Sequence, residues 1–358
     1  MFSINSDITQ ASTLPTSFYK DHGIYERCKE EVFASSWQFV GDEGILDAHS
    51  NYPFKLLPEL LEEPLLLTKA NGSIRCLSNV CTHRGNILVS SPDNSKQLVC
   101  RYHGRKFDRE GKFLSMPQFD EAKDFPSECD HLTQVPLHQW GQFLFTSLQP
   151  KFSFDSVIAA MEERIGFLPL EKFNFSQANS KTYEIKAHWA LYCDNYLEGF
   201  HIPFVHHDLN DAVSYQEYET VVYDYCNVQI ATAKDGTEAF SLPKGHIDYG
   251  RDIAAYYFWI FPNMMFNFYP WGLSINLVSP LAIDKTKVSF LGYVFDQSKI
   301  ENSAGELLDK VEMEDEEVVE SVQSGIKSRF YEKGRFSPQM EKGVHHFHCL
   351  IDEFLKKP

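Results

Sequence analysis

Two short cysteine–histidine pairs, Cys81-Thr82-His83 and Cys100-Arg101-Tyr102-His103, constrain this chain more than any other feature. Each pair supplies one thiolate and one imidazole, so the loops that carry them must converge on a shared metal. Structural zinc sites usually take a close cysteine pair or a close histidine pair from one loop. Here each loop is mixed. A [2Fe–2S] cluster with two Cys on one iron and two His on the other asks for that arrangement, and the spacing favours it over zinc. Neutral imidazole in place of thiolate removes negative charge and raises the reduction potential. Gly85 and Gly104 suit tight loops whose backbone N–H groups approach the cluster sulfurs. The other cysteines, Cys28, Cys76, Cys129, Cys193, Cys226 and Cys349, share no such spacing and are expected as buried free thiols.

Short strand-like segments surround the two pairs. Leu65-Leu66-Leu67-Thr68 precedes the turn Asn71-Gly72, and Gln142-Phe143-Leu144-Phe145-Thr146 follows Trp140-Gly141. These signals predict a small β-rich domain over residues 40–150, with residues 1–39 and 151–358 forming a second domain. In the latter, helical patterns cover residues 24–33 and 156–166, and strand-like runs cover 183–185, 220–225, 255–261, 273–278 and 288–294. A charged helix is expected over about 305–331. The chain has 358 residues, 43% of them hydrophobic, and a formal net charge of −17. That length gives ample core for two domains. The charge argues against nucleic acid or an anionic membrane as partner. No apolar run is long enough to span a bilayer, and the first residues lack the pattern of a signal peptide. The expected compartment is therefore reducing, the cytoplasm.

A cluster of this kind relays single electrons and needs an acceptor, which the segment from Cys193 to His207 can house. On a continuous helix Asp194, Glu198 and His201 fall at i, i+4 and i+7, on one face. Pro203 cannot continue that helix, so the chain should turn and bring His206 beside His201. His207 adjoins it. Two imidazoles with one carboxylate leave open positions on iron(II) for dioxygen and substrate. The late helix offers the carboxylate. Its apolar stripe runs through Leu307, Leu308, Val311, Val318, Val319, Val322 and Ile326, and Asp315 lies within it. Glu314 falls at the edge, and Glu316, Glu317 and Glu320 fall outside. A buried Asp needs compensation, from a metal or alternatively from backbone or arginine.

With these motifs the chain resembles the catalytic α subunit of Rieske non-haem iron oxygenases, from about residue 14 to residue 350. The resemblance implies an α+β protein: a Rieske β-sandwich-type domain plus a helix-grip catalytic domain with an antiparallel sheet. It implies that Cys81, His83, Cys100 and His103 hold the cluster, and that His201, His206 and Asp315 hold Fe(2+). Glu198, three residues before the first iron histidine, matches the family's bridging acid, where many ring hydroxylases carry Asp; Asp194 is the alternative, one turn earlier. The implied reaction inserts one or two oxygens from dioxygen. No Gly-x-Gly-x-x-Gly follows a strand, so electrons come from NAD(P)H through a separate reductase or ferredoxin. The implied assembly is a homotrimer with transfer between subunits.

The segments 261–271 and 276–281 look like those of choline monooxygenase and related quaternary-ammonium oxygenases. This implies a small quaternary or methylated amine as substrate, akin to choline, betaine or carnitine. Tyr192, Tyr196, Phe200, Phe204, Phe266, Phe268 and Trp271 could surround a trimethylammonium head. They could equally pack against an arene, so an aromatic ring-hydroxylating dioxygenase is the second expectation. A Rieske electron carrier without catalysis is the third.

Overall fold

The computed structural model describes residues 2–300 and 308–356. The chain divides into two compact units, one of Ala34–Lys151 and the other of Met1–Phe33 with Phe152–Pro358. The smaller unit begins ahead of residue 40 because its two ends are tied. The carbonyls of Ala34 and Ser35 accept from the N–H groups of Gln149 and Lys151 at 2.9 and 3.0 Å.

The smaller unit is built from antiparallel β-structure. Its strands are β1 (Gln38–Asp42), β2 (Asn51–Leu56), β3 (Glu63–Ala70), β4 (Ser73–Ser78), β5 (Gln97–Val99), β6 (Lys106–Asp108), β7 (Phe113–Ser115), β8 (Gln134–Val135), β9 (Leu137–Trp140) and β10 (Phe143–Thr146). They pair as β1-β10-β9, β2-β3-β4-β8 and β5-β6-β7. Successive side chains of a strand point to opposite faces, and β3 feeds two cores in this way. Leu66 packs with Leu77, Cys81, Cys100 and Phe107, whereas Leu65 and Leu67 pack with Leu46, Leu56, Cys76 and Leu144. The candidate cluster cysteines are thus part of a hydrophobic core.

The larger unit opens with α1 (Thr16–Lys20) and α2 (His22–Cys28), followed after the β unit by α3 (Phe154–Ile165). Its sheet contains β11 (Asn174–Ile185), β12 (Glu219–Val222), β13 (Cys226–Thr232), β14 (Ile253–Ile260), β15 (Met264–Tyr269), β16 (Gly272–Ala282) and β17 (Lys285–Val294). The order is β11-β17-β16-β15-β14-β13-β12, antiparallel throughout. Between β11 and β12 lie α4 (Trp189–Tyr196), α5 (Ile202–Val205) and α6 (His207–Ala212); α7 (Leu308–Gly325) and α8 (Lys342–Leu355) follow the sheet. Helix α4 packs on both β16 and α7, giving the helix-grip arrangement. Every residue of β13 and β15 is buried, so neither shows the alternation by which a half-buried strand is read.

The late helix differs from its expected form. It ends at Gly325 rather than near Tyr331, and residues 305–307, Leu307 among them, lie outside the described residues. The side chain of Leu308 is likewise outside the description. The buried row runs through Glu312, Val319, Gln323 and Ile326, and Val322 is 43% exposed. Polar side chains displace the apolar stripe because they serve the backbone before α4. Gln323 accepts from the N–H of His188 at 2.8 Å, and Glu320 accepts from that of Lys186 at 2.9 Å. Among the described residues no helix is long and apolar enough to cross a membrane. The cysteines outside the two pairs are buried and unbridged with two exceptions. Cys129 is exposed and Cys349 is partly exposed, in contrast to the expectation.

Candidate metal centres and active site

The two cysteine–histidine loops share one backbone plan. The N–H of Cys81 donates to the carbonyl of Asn86, and that of Cys100 to the carbonyl of Arg105, each at 2.8 Å. The glycine four residues after each cysteine donates back to its carbonyl, Gly85 at 3.0 Å and Gly104 at 2.9 Å. Both glycines hold positive φ, 72° for Gly85 and 74° for Gly104, a region costly for other residues. The two folded loops bring the rings of His83 and His103 to a centroid distance of 4.8 Å at 75°. Both Nδ1 atoms are buried without a hydrogen-bond partner among the described residues, a costly state unless something else binds them. The backbone N–H groups of Tyr102 and His103 donate toward Cys100, as does the Asn86 side chain at 3.7 Å. Although burial pushes the Cys100 thiol up, these donors together with the neighbouring Cys81 thiol draw it below its ordinary value. Two orphaned imidazole nitrogens beside two thiols with donors aimed at sulfur fit a mixed-ligand iron–sulfur cluster.

Asp130 locks the loops to each other. Its carbonyl accepts from the Thr82 hydroxyl at 2.9 Å, and its carboxylate takes the buried Arg105 guanidinium at 2.5 Å. The guanidinium also lies over the rings of Phe107, Phe113 and Phe125. Nothing in the local spacing announces this pair, because Arg105 and Asp130 are far apart in the chain.

In the larger unit His201, His206 and Asp315 come together. The Nε2 atoms of His201 and His206 are 3.2 Å apart, and Asp315 Oδ1 lies 2.9 Å from His206 Nε2 and 3.5 Å from His201 Nε2. Three donors about 2.1 Å from a six-coordinate ion stand about 3 Å apart on one face. The triangle fits. Each imidazole is oriented through its other nitrogen: His201 Nδ1 faces Glu198 Oε1 at 2.7 Å, and His206 Nδ1 faces Glu314 Oε2 at 2.8 Å. Carboxylates in that position fix the tautomer that leaves Nε2 free to coordinate. Burial pushes His206 down, but Asp315 and Glu314 outweigh it and hold it above its ordinary value. The spot therefore favours positive charge.

The segment that carries the histidines differs from a continuous helix. Helix α4 ends at Tyr196, so Asp194, Glu198 and His201 share no helical face. The other Glu198 oxygen, Oε2, accepts from the N–H groups of Phe200 and His201, the latter at 3.1 Å, and starts a new turn. A side chain on Gly199 would strike the Tyr218 ring at 2.7 Å. Pro203 does not stop a helix; it sits in the first turn of the short α5, where a missing N–H costs nothing. That turn is what returns His206 to His201. Asp194 stands away from the triad. Its carboxylate accepts from the Tyr19 hydroxyl at 2.9 Å and pairs with His348 Nε2 at 2.8 Å, while His348 Nδ1 accepts from the N–H of Leu14. It ties the first segment of the chain to α8.

Comparison with known proteins bears on both units. A family model described as the Rieske [2Fe-2S] domain matches residues 36–126, and one described as the ring hydroxylating alpha subunit (catalytic domain) matches residues 174–357. The chloroplastic choline monooxygenase of Arabidopsis thaliana is 30% identical, the alignment covering 98% of this chain and 84% of that protein. The chain belongs to the Rieske non-haem iron oxygenases. The carnitine monooxygenase oxygenase subunit of Escherichia coli is 27% identical over 97% of this chain and 95% of its own length. Among solved structures, the quaternary ammonium Rieske monooxygenase CntA in complex with L-carnitine shares the fold. It has a TM-score of 0.76 at 22% identity, covering 99% of this chain and 100% of that one. Naphthalene 1,2-dioxygenase from Rhodococcus sp., bound to indole, gives 0.71 at 17% identity, covering 96% and 93%.

In this oxygenase the candidate triad opens on a cavity with an empty volume of about 720 Å³, part of it open to solvent. Its wall includes Tyr192 and Tyr196 from α4, Tyr218, and Tyr257 and Tyr269 from the sheet, with Phe290. The sheet's register lays a polar row across the floor, since Gln229 pairs with Tyr257 and Tyr257 with Asn267. The Tyr196 hydroxyl donates to Asn267 Oδ1 at 2.6 Å, and the Gln229 amide donates to the carbonyl of Tyr196 at 2.6 Å. Of the aromatic residues expected to surround a ligand, Tyr192 and Tyr196 do line the cavity. Phe200 and Phe204 are 41% and 74% exposed instead. Phe266 and Phe268 are buried outside the lining, and Trp271 stacks on the Tyr269 ring at 5.3 Å. Tyr218, Tyr257 and Tyr269 come from sheet and loop positions whose convergence depends on strand pairing far apart in sequence.

Proposed function

We propose that this oxygenase hydroxylates a small quaternary or methylated amine beside its nitrogen, or demethylates it, with one oxygen atom of dioxygen. The observation that carries the reading is the cavity wall, which combines tyrosine rings with carboxylates. A ring face attracts a cation by about 0.5–2 kcal/mol per contact. A buried carboxylate is costly without a cation and brings nothing to an arene. The similarity to choline and carnitine monooxygenases supports the same class, with choline, betaine or carnitine as the type of ligand.

In this reading Cys81, His83, Cys100 and His103 hold the cluster, and His201, His206 and Asp315 hold the iron. The cluster supplies single electrons and the iron supplies dioxygen activation when bound. Glu198 and Glu314 keep the coordinating Nε2 atoms unprotonated by accepting from Nδ1–H. The tyrosine wall excludes water and orients the N-methyl groups toward the triad. Electrons come from a separate reductase or ferredoxin that oxidises NAD(P)H. A reducing compartment such as the cytoplasm suits a chain whose cysteines are all unbridged.

The working assembly is a homotrimer in which Glu198 links His201 to His103 of the partner subunit. Tyr102, stacked on His103 at 3.7 Å and 59% exposed, and the exposed Phe200 and Phe204 near Glu198 give apolar surface suited to such a contact. Sedimentation of the active enzyme should give a trimer. A fully active monomer would exclude the route.

An aromatic ring-hydroxylating dioxygenase is the competing reading, since the same rings could pack against an arene. A trimethylammonium compound and its neutral tert-butyl analogue separate the two. The amine reading expects coupled oxygen uptake with choline, betaine or carnitine, and loss of it with the analogue of the substrate. Equal response to the pair, together with turnover of a simple arene, would replace it with the ring-hydroxylase reading.

A further inference from the structure

Three carboxylates line the cavity, Glu198, Glu312 and Asp315, and two of them are committed. Glu198 holds His201 and the turn N–H groups, and Asp315 completes the candidate triad. Glu312 is different. It lies on α7 one turn before Asp315, 5% exposed, and its partner is the buried Tyr192 hydroxyl, which donates at 2.9 Å to Oε1 and 2.8 Å to Oε2. No imidazole, Lys or Arg bond to Glu312 is found among the described residues. The Tyr192 hydroxyl is a neutral partner, so a charge on Glu312 finds no compensating cation among the described residues. A second group on the wall also lacks a partner. Gln229 is 1% exposed, and its Oε1 accepts from nothing among the described residues although it lines the same cavity.

We infer that Glu312 is the counter-charge for the substrate's cationic nitrogen, and that it selects ammonium substrates with an uncharged tail over carboxylate-bearing betaines. The inference rests on the amine reading and narrows it. A quaternary head cannot donate an ordinary hydrogen bond, so it needs a nearby negative charge and ring faces. Glu312 supplies the former and the tyrosines the latter. A hydroxyl on the tail finds an acceptor in Gln229. A tail carboxylate would meet the negative wall, and no Lys or Arg stands among the described residues lining the cavity. The alternative for Glu312 is a structural tie between α4 and α7 through Tyr192. Glutamine can accept the same hydroxyl, so Glu312→Gln keeps the tie and removes the charge.

The test is anaerobic calorimetric binding to iron-loaded holoenzyme, wild type, Glu312→Gln and Glu312→Asp, with three ligands. These are choline, its neutral tert-butyl analogue and glycine betaine. Wild type should bind choline most tightly. Glu312→Gln should lose about tenfold or more of its affinity for choline and leave the neutral analogue unchanged, a change that a merely structural role would not produce. Glu312→Asp, which keeps the charge, should retain a preference for choline over the analogue even if the glutamine variant folds poorly. If wild type prefers the cation and Glu312→Gln keeps that preference in full, the assignment of Glu312 is overturned while the amine reading stands. Wild-type binding of betaine above choline would overturn the selection. Equal wild-type binding of choline and the neutral analogue would overturn the amine reading itself.

Discussion

Glu198→Gln is expected to lower turnover by about two orders of magnitude or more at saturating iron, with both metal centres still present. Its carboxylate does two things at once. One oxygen faces His201 Nδ1 at 2.7 Å, and the other takes the backbone N–H groups that begin the turn toward His206. Glutamine has a single acceptor oxygen and sets an NH2 group against donors, so one of those bonds must fail. The negative charge that can hold two imidazole N–H donors together is lost as well. Iron and sulfide content should stay near wild type, and the cluster should still accept an electron from dithionite. Oxygen uptake coupled to product is the quantity that collapses. Near-wild-type turnover would remove Glu198 from the electron route.

Asp315→Ala should abolish turnover for a different reason. It deletes one corner of the triangle at 2.9 and 3.5 Å from the imidazole nitrogens. The acidic charge that offsets the iron goes with it, and iron content should fall by about one equivalent per chain. The cluster's visible absorption and its EPR signal after reduction should be unchanged, since its ligands lie in the other unit. Glu314→Gln is the informative neighbour: it loosens His206 without removing a ligand and should weaken iron binding by about 10- to 100-fold. If Asp315→Ala retained full iron and Glu314→Gln lost it, the carboxylate ligand would be Glu314.

The convergence of the two cysteine–histidine loops was legible because both candidate ligands of each pair lie within one tight turn, where spacing alone sets geometry. His201 and His206 were legible for the same reason. The path between them was not, because it depends on the Glu198 carboxylate and the Tyr218 ring, neither of which a helical wheel includes. Asp194 shows the cost of that omission: a helix extended past Tyr196 would align it with Glu198, whereas the real helix aims it at Tyr19 and His348. Asp315 was reached through an apolar stripe that the structure shifts, with Val322 exposed and Glu312 buried. The cavity wall was least legible. Its tyrosines and Gln229 converge through sheet register, and β13 and β15 carry no alternation to reveal it.

The most direct measurement is a single turnover without any reductase. The holoenzyme is reduced, freed of reductant, and mixed with dioxygen in the presence or absence of a quaternary amine such as choline. An oxygenase that couples its cluster to an iron beside an amine-binding cavity should lose its reduced-cluster EPR signal rapidly when the amine is present. Oxygenated or demethylated product should form in proportion to the electrons lost. A cluster that reoxidises at the same rate with and without amines, yielding no product, would contradict the account.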